Sequence, residues 1–109
     1  MEKFHYLKEW VDLHVPSTKL ITPKPVDVSI IELAHCPRYI HAFQSGTLDN
    51  RSLREIGLPW SKALAHRTRL ALGGSITTCY SALEQGLASH LAGGTHHAHF
   101  DRGSGFCIY

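Results

Sequence analysis

The chain has 109 residues, of which 43% are hydrophobic and 18% are charged, and its formal net charge is +2. This length suits a single domain with one modest core. The eleven lysines and arginines are scattered along the chain and form no basic stripe, which argues against nucleic-acid binding. No apolar run approaches the ~20 residues of a membrane span, so we expect no membrane partner.

The cysteines and histidines bear on compartment and on metal binding. Three widely separated cysteines without a CxxC motif do not suit a disulfide framework, and they fit a reducing cytoplasm. The first residues also lack the apolar stretch of a secretory leader, so we expect a cytoplasmic protein. Nine histidines are the compositional outlier, and they raise the question of metal binding because histidine is the commonest metal ligand.

The first half of the chain predicts two helices and one strand. Apolar residues at helical spacing predict an amphipathic helix over residues 2–14. The prolines that follow make residues 17–25 an exposed connection, since they suit neither a helix nor a central strand. Residues 30–35 form a short apolar run typical of a buried strand. A second helix is expected over residues 37–45, because proline suits its first turn and glycine follows its end.

The second half of the chain predicts one long helix. Residues 47–59 are polar and rich in turn formers, with a single helical turn expected at residues 52–56. Apolar residues then step by threes and fours from Ser61, a suitable N-cap, to Gly86. Two glycines in the middle of this helix, at residues 73–74, each cost ~1 kcal/mol against alanine. They predict either a kink or the close approach of another backbone.

Two further segments are typical of strands. These are residues 87–91, which lead into a pair of glycines, and residues 105–109. Alternation of strands and helices in this order predicts an α/β layer with parallel pairing.

The segment between those two strands carries most of the chemical information. His96 and His97 are adjacent on a turn flanked by glycines, and imidazole exchanges protons near neutral pH. In a hydrolytic site one imidazole acts as a general base on water while the other donates or orients a proton. Two other interpretations remain open: a polar surface loop that happens to be rich in histidine, and a metal site formed by His96, His99 and Asp101.

The residues of this segment resemble the histidine-pair segment of the histone deacetylase family, most closely its bacterial branch that is similar to class IV enzymes. The resemblance rests on LAGGTHHA at residues 91–98 and DRGSGFC at residues 101–107. It extends upstream through IGLPWS at residues 56–61, HCPRYIHAF at residues 35–43 and MEKF at residues 1–4. It therefore covers essentially the whole chain.

The resemblance implies roles for particular residues. His96 and His97 match the family's general base and its companion proton donor. Gly105 and Phe106 match the lining of a narrow acyl-lysine channel, with Phe106 alongside the methylene stem. Cys107 neighbours that channel, where a small buried hydrophobe is the simpler expectation. The implied substrate is an N-acyl-lysine or another acylated amine, and the implied cofactor is zinc.

The resemblance also implies a fold, an α/β class with a parallel sheet between helical layers as in the arginase/deacetylase fold. The family's zinc ligands and its transition-state tyrosine follow the histidine segment and have no counterpart here, and its first strand is missing. DLH at residues 12–14 has the letters of a zinc-ligand motif in the wrong place. We therefore expect residues 1–109 to be one truncated, helix-rich domain that holds no zinc alone and is inactive by itself.

A different class of function remains as an alternative. The chain would then be a non-catalytic α/β module that acts through assembly and binds metal through its histidines. Because an exposed sheet edge recruits another strand, we expect a homo-oligomer under either interpretation.

Overall fold

The structure of the chain is a computed structural model that describes residues 2–109. Within this range it contains five helices, namely α1 (Glu2–His14), α2 (Val28–Ile31), α3 (Pro37–Ser45), α4 (Asn50–Ile56) and α5 (Lys62–Gln85). The helices predicted over residues 2–14, 37–45 and 61–86 are confirmed as α1, α3 and α5. The single helical turn expected at residues 52–56 is a longer helix, α4.

Local side chains define where the helices begin and end. Ser61 accepts a hydrogen bond from the backbone N–H of Leu64 at 3.0 Å and so caps α5. Asp49 caps α4 in the same way, accepting from the N–H of Ser52 at 2.8 Å. That hydrogen bond holds the pKa of the Asp49 carboxyl below its ordinary value. Gly86 ends α5 with a left-handed φ of 87°.

The core lies where α3, α4 and α5 meet the last residues of the chain. Phe43, Ile40 and Ile56 are its largest fully buried side chains, and Tyr109 packs edge-on against Phe43. Two buried tyrosines form hydrogen bonds within this core through their hydroxyl groups. Tyr39 donates to the carbonyl of Ile108 at 2.8 Å, and the Tyr109 oxygen accepts from Gln44 at 3.0 Å. Burial raises the pKa of both tyrosines.

The predicted strands are wrong as local structure. Residues 30–35 belong to α2 and the turn after it, where Asp27 caps the helix by accepting from the N–H of Ser29 at 3.1 Å. Residues 87–91 are irregular. Residues 105–109 begin in a tight turn, and across residues 2–109 β-structure is confined to one antiparallel bridge between Ser104 and Cys107.

The failure has a physical cause. A strand is stable only when a neighbouring strand pairs with its backbone groups, and no backbone hydrogen bonds pair the three apolar segments with one another in the described residues. Their backbone groups bond elsewhere instead, as when the N–H of Cys36 donates to the carbonyl of Phe100 at 2.8 Å. The described part of the chain is therefore helix-rich, and the predicted parallel sheet is not formed in it.

The glycine pair in α5 marks a close approach of another segment of the chain. Of the two predictions for this pair, a kink or the close approach of another backbone, the second is confirmed at Gly73. A Cβ at Gly73 would overlap the carbonyl oxygen of Lys24, and a Cβ at Gly74 would overlap the ring of His90. The neighbour of α5 is thus an irregular segment instead of the sheet that the family resemblance implied. Val26 donates its N–H to the carbonyl of Arg69 at 3.0 Å, and the Arg69 Nε donates back to the Val26 carbonyl at 2.8 Å.

Helix α1 lies apart from this core. Within Glu2–His14 no side chain is buried, and Trp10 is 54% exposed, stacked on His14. Across the described residues, no helix combines the length and the apolar character that spanning a bilayer requires. The homo-oligomer and the cytoplasmic location stay predictions.

Candidate histidine-pair site

His96 and His97 lie next to each other on an irregular loop that follows α5. Their ring centroids are 4.0 Å apart and the ring planes are inclined by 43°. Both side chains are exposed, so they are available to solvent and to a substrate. Adjacent residues on an extended backbone would direct their side chains to opposite faces. Here the loop instead brings the two imidazoles into contact on one surface.

A tight turn over residues 104–107 packs against the histidine pair through His97. Ser104 and Cys107 exchange two backbone hydrogen bonds, each of 2.9 Å. The two central residues have positive φ, 54° at Gly105 and 67° at Phe106, which is the pattern of a type I′ hairpin turn. A bulky residue in this conformation costs roughly 1–3 kcal/mol, so surrounding contacts must hold it.

Helix α4 supplies those contacts. The N–H of Gly105 donates to the carbonyl of Glu55 at 3.1 Å, and the N–H of Phe106 donates to the carbonyl of Ile56 at 2.7 Å. The last carbonyls of a helix have no partner within the helix, so the turn satisfies them while α4 fixes the turn. The Phe106 ring lies against Gly57 and is 67% exposed.

His97 contacts this turn directly. A Cβ placed on Gly105 would lie 3.3 Å from the Cγ of His97, so the glycine leaves room for the imidazole. The Sγ of Cys107 lies 3.5 Å from the Nδ1 of His97. Cys107 itself is 6% exposed, in agreement with the expectation of a small buried hydrophobe. The structure thus places the pair His96 and His97 next to the turn that carries Gly105 and Phe106, the residues that the family resemblance singled out.

Two hydrogen bonds that sequence analysis missed attach the histidine loop to other parts of the chain. The Thr95 hydroxyl donates to the carbonyl of Tyr109 at 2.6 Å. The Nδ1 of His35 lies 2.9 Å from the carbonyl oxygen of His99, and the ring of His35 packs on Tyr109. These partners are far apart in sequence, and no local pattern marks them. The family resemblance was the one sequence feature that connected these regions, because its matching segments include residues 35–43 and 101–107.

The same loop does not form a metal site. Among residues 2–109 no three His, Cys, Asp or Glu side chains are grouped so that they would hold a metal ion. The interpretation of His96, His99 and Asp101 as a ligand set is therefore wrong for this structure, and Asp101 instead pairs with Arg102 at 3.4 Å. The described donor groups do not fit the zinc that the family's chemistry uses.

Comparison with known proteins identifies the family. A family model described as the histone deacetylase domain matches residues 2–109. The chain belongs to the histone deacetylase family, and this membership implies the arginase/deacetylase fold. An uncharacterized protein of Picosynechococcus sp. is similar, with 51% identity over 86 residues. The match takes in 79% of this chain and 29% of the relative, so the chain spans less than a third of that relative's length.

Proposed function

We propose that this chain supplies the histidine-pair portion of a deacylase domain that hydrolyses N-acyl-lysine or another acylated amine, and that the chain is inactive when isolated. In that domain its helices would lie beside the parallel sheet of the arginase/deacetylase fold. The observation that carries the proposal is the pair His96 and His97, in contact on an exposed surface within a chain that belongs to the histone deacetylase family.

The chemistry of the pair is proton transfer. Hydrolysis of an amide requires that a base take a proton from the attacking water and that an acid protonate the departing amine. Two imidazoles whose ring centroids are 4.0 Å apart are close enough for one to act on the attacking water while the other protonates the departing nitrogen of the same amide. General acid–base catalysis contributes typically ~10²–10⁴-fold. This is a small part of the acceleration that amide hydrolysis needs, and it is why we expect no turnover by the isolated chain.

The turn beside the pair suits an acyl-lysine side chain. Phe106 presents an aromatic ring that is 67% exposed, against which a methylene stem would pack. Gly105 carries no side chain, so the imidazole of His97 fits against the turn next to Phe106. The support for an acyl-amine substrate is therefore an apolar wall and a pair of proton-transfer groups on one surface.

A segment exchange tests the proposal. The matched segment of the Picosynechococcus relative would be replaced by the corresponding residues of this chain, and hydrolysis of acetyl-lysine and acetylated polyamine reporters would be measured with zinc present. We expect turnover by the chimera and none by the isolated chain. We expect His96→Ala or His97→Ala in the chimera to lower kcat at least ~10²-fold.

His41→Ala is the matched control, because His41 is an exposed histidine on α3 away from the pair. It should leave kcat unchanged. A chimera that hydrolyses neither reporter, or one that keeps its full kcat after His97→Ala, would contradict the proposal. Turnover by the isolated chain that His97→Ala abolishes would contradict the claim that it is inactive alone.

A further inference from the structure

Phe106 is held in a conformation that its own backbone disfavours. Its φ of 67° is positive although it carries a large side chain. The hydrogen bonds from the N–H groups of Gly105 and Phe106 to the carbonyls of Glu55 and Ile56 determine where its backbone lies. They do not determine where the ring lies, and Phe106 as a residue is 67% exposed, so few neighbours surround the ring. The contacts of the ring itself must therefore account for its position.

Gly57 is the residue that the ring contacts at the end of α4. It has a left-handed φ of 79°, and its N–H donates to the carbonyl of Leu53 at 2.9 Å. A Cβ placed on Gly57 would lie 3.1 Å from the Cε1 of Phe106 and 3.4 Å from its Cδ1. Carbon atoms in favourable contact are about 3.5–4.0 Å apart, so any side chain at this position pushes the ring away from α4.

We infer that Gly57 is a positioning residue, which acts by letting the Phe106 ring lie against the end of α4 and so determines where this aromatic ring is presented on the turn next to His97. This inference rests on the proposed function, since the Phe106 ring is the wall against which the acyl-amine side chain would pack. The contact between the ring and Gly57 lies within this chain. Its contribution to stability is therefore measurable on the isolated chain, without an activity assay.

The structure offers a matched control for the backbone cost of a substitution. Gly86 ends α5 with a φ of 87°, and a Cβ placed on it meets nothing within 4 Å. Gly86→Ala therefore measures the cost of a left-handed alanine alone. Gly57→Ala measures the same cost together with displacement of the ring. The difference between the two variants isolates the contact with Phe106.

The first experiment is a double-mutant cycle on the chain itself, followed by urea denaturation. We expect Gly57→Ala to lower the folding equilibrium constant about two- to threefold more than Gly86→Ala does, because the exposed ring must shift by a few tenths of an ångström and loses a few atom contacts. In a Phe106→Ala background this excess should be lost, because the ring is gone and the backbone at residue 106 is unchanged. An excess that persists in that background, or equal effects of both glycine variants, would overturn the inference.

The second experiment uses the chimera described above. We expect Gly57→Ala to raise KM for the acyl-lysine reporter several-fold with kcat retained, since it displaces the Phe106 ring and leaves the imidazoles in place. Gly86→Ala should change neither constant, and Phe106→Ala should abolish the effect of Gly57→Ala on KM. An unchanged KM in an active chimera would overturn the inference. If the chimera is inactive while the cycle still shows coupling, the proposed function fails and the positioning role of Gly57 stands.

Discussion

The close approach at Gly73 makes a quantitative prediction about α5. In Gly73→Ala the new Cβ overlaps the carbonyl oxygen of Lys24, a backbone atom that moves only if the whole segment around Val26 moves. That movement stretches the two hydrogen bonds between Val26 and Arg69, of 3.0 and 2.8 Å. Each contributes roughly 0.5–1.5 kcal/mol. Val26, which is 8% exposed, also loses part of its burial.

The opposing effect is smaller. Alanine is favoured over glycine in a helix by ~1 kcal/mol. Two hydrogen bonds at about 1 kcal/mol each, and a further ~1 kcal/mol from partial exposure of Val26, outweigh this gain. We expect Gly73→Ala to lower the free energy of unfolding by about 2 kcal/mol. The corresponding fall in Tm is roughly 8 °C for a domain of this size.

The adjacent glycine is the control. In Gly74→Ala the Cβ meets the ring of His90, which is the far end of a side chain on an irregular segment and is free to rotate. The free energy of unfolding then falls only by the loss of the hydrogen bond between the Ser75 Oγ and the His90 Nδ1, which are 3.3 Å apart. The higher helix propensity of alanine offsets this loss. Gly74→Ala should stay within ~1 kcal/mol of the unsubstituted chain. Urea denaturation followed by circular dichroism measures both variants, and a Gly73→Ala protein as stable as Gly74→Ala would refute the reasoning.

Two further predictions concern the core. Trp60→Phe removes the hydrogen bond that Trp60 Nε1 donates to the carbonyl of Phe43 at 2.6 Å, so we expect a loss of about 1 kcal/mol in denaturant titrations, and no loss would contradict that role for the indole. Burial raises the pKa of Tyr39 and Tyr109 above the ordinary value of 10.0, so their contribution to stability is complete below pH 10.0 and is lost as the pH rises above it. Tyr39→Phe should therefore flatten the alkaline fall of the unfolding free energy, and an unchanged slope would speak against this linkage.

The parts of the fold that sequence predicted well are those that local chemistry determines. The limits of α5 follow from Ser61, whose hydroxyl caps the first turn, and from Gly86, which adopts the left-handed conformation after the last. The glycines at residues 73–74 signalled a close neighbour because nothing else explains their cost inside a helix. What they could not identify was which segment would lie there.

The parts that failed depend on distant partners. An apolar run such as residues 30–35 is equally compatible with a buried strand and a short helix, and only a neighbouring strand decides between them. Asp27 decides here for the helix by capping α2. In the candidate site, the family motif located the histidine pair. No local pattern reveals that Phe106 takes a positive φ or that Cys107 meets His97, because both depend on the end of α4 and on the path of the loop.

The separation of α1 from the core has a consequence for how the molecule opens. Exposed pairs at helical spacing, Lys8 with Asp12 and His5 with Glu9, contribute a few tenths of a kcal/mol each, and a helix of 13 residues in water is marginal on such terms. We therefore expect its amide hydrogens to exchange through local fraying, and those of α3 and α5 through cooperative opening of the packed unit. We expect the chain to behave as two thermodynamic units, so that a change that weakens Phe43 or Ile56 lowers the exchange protection of the packed unit and leaves that of α1 unchanged.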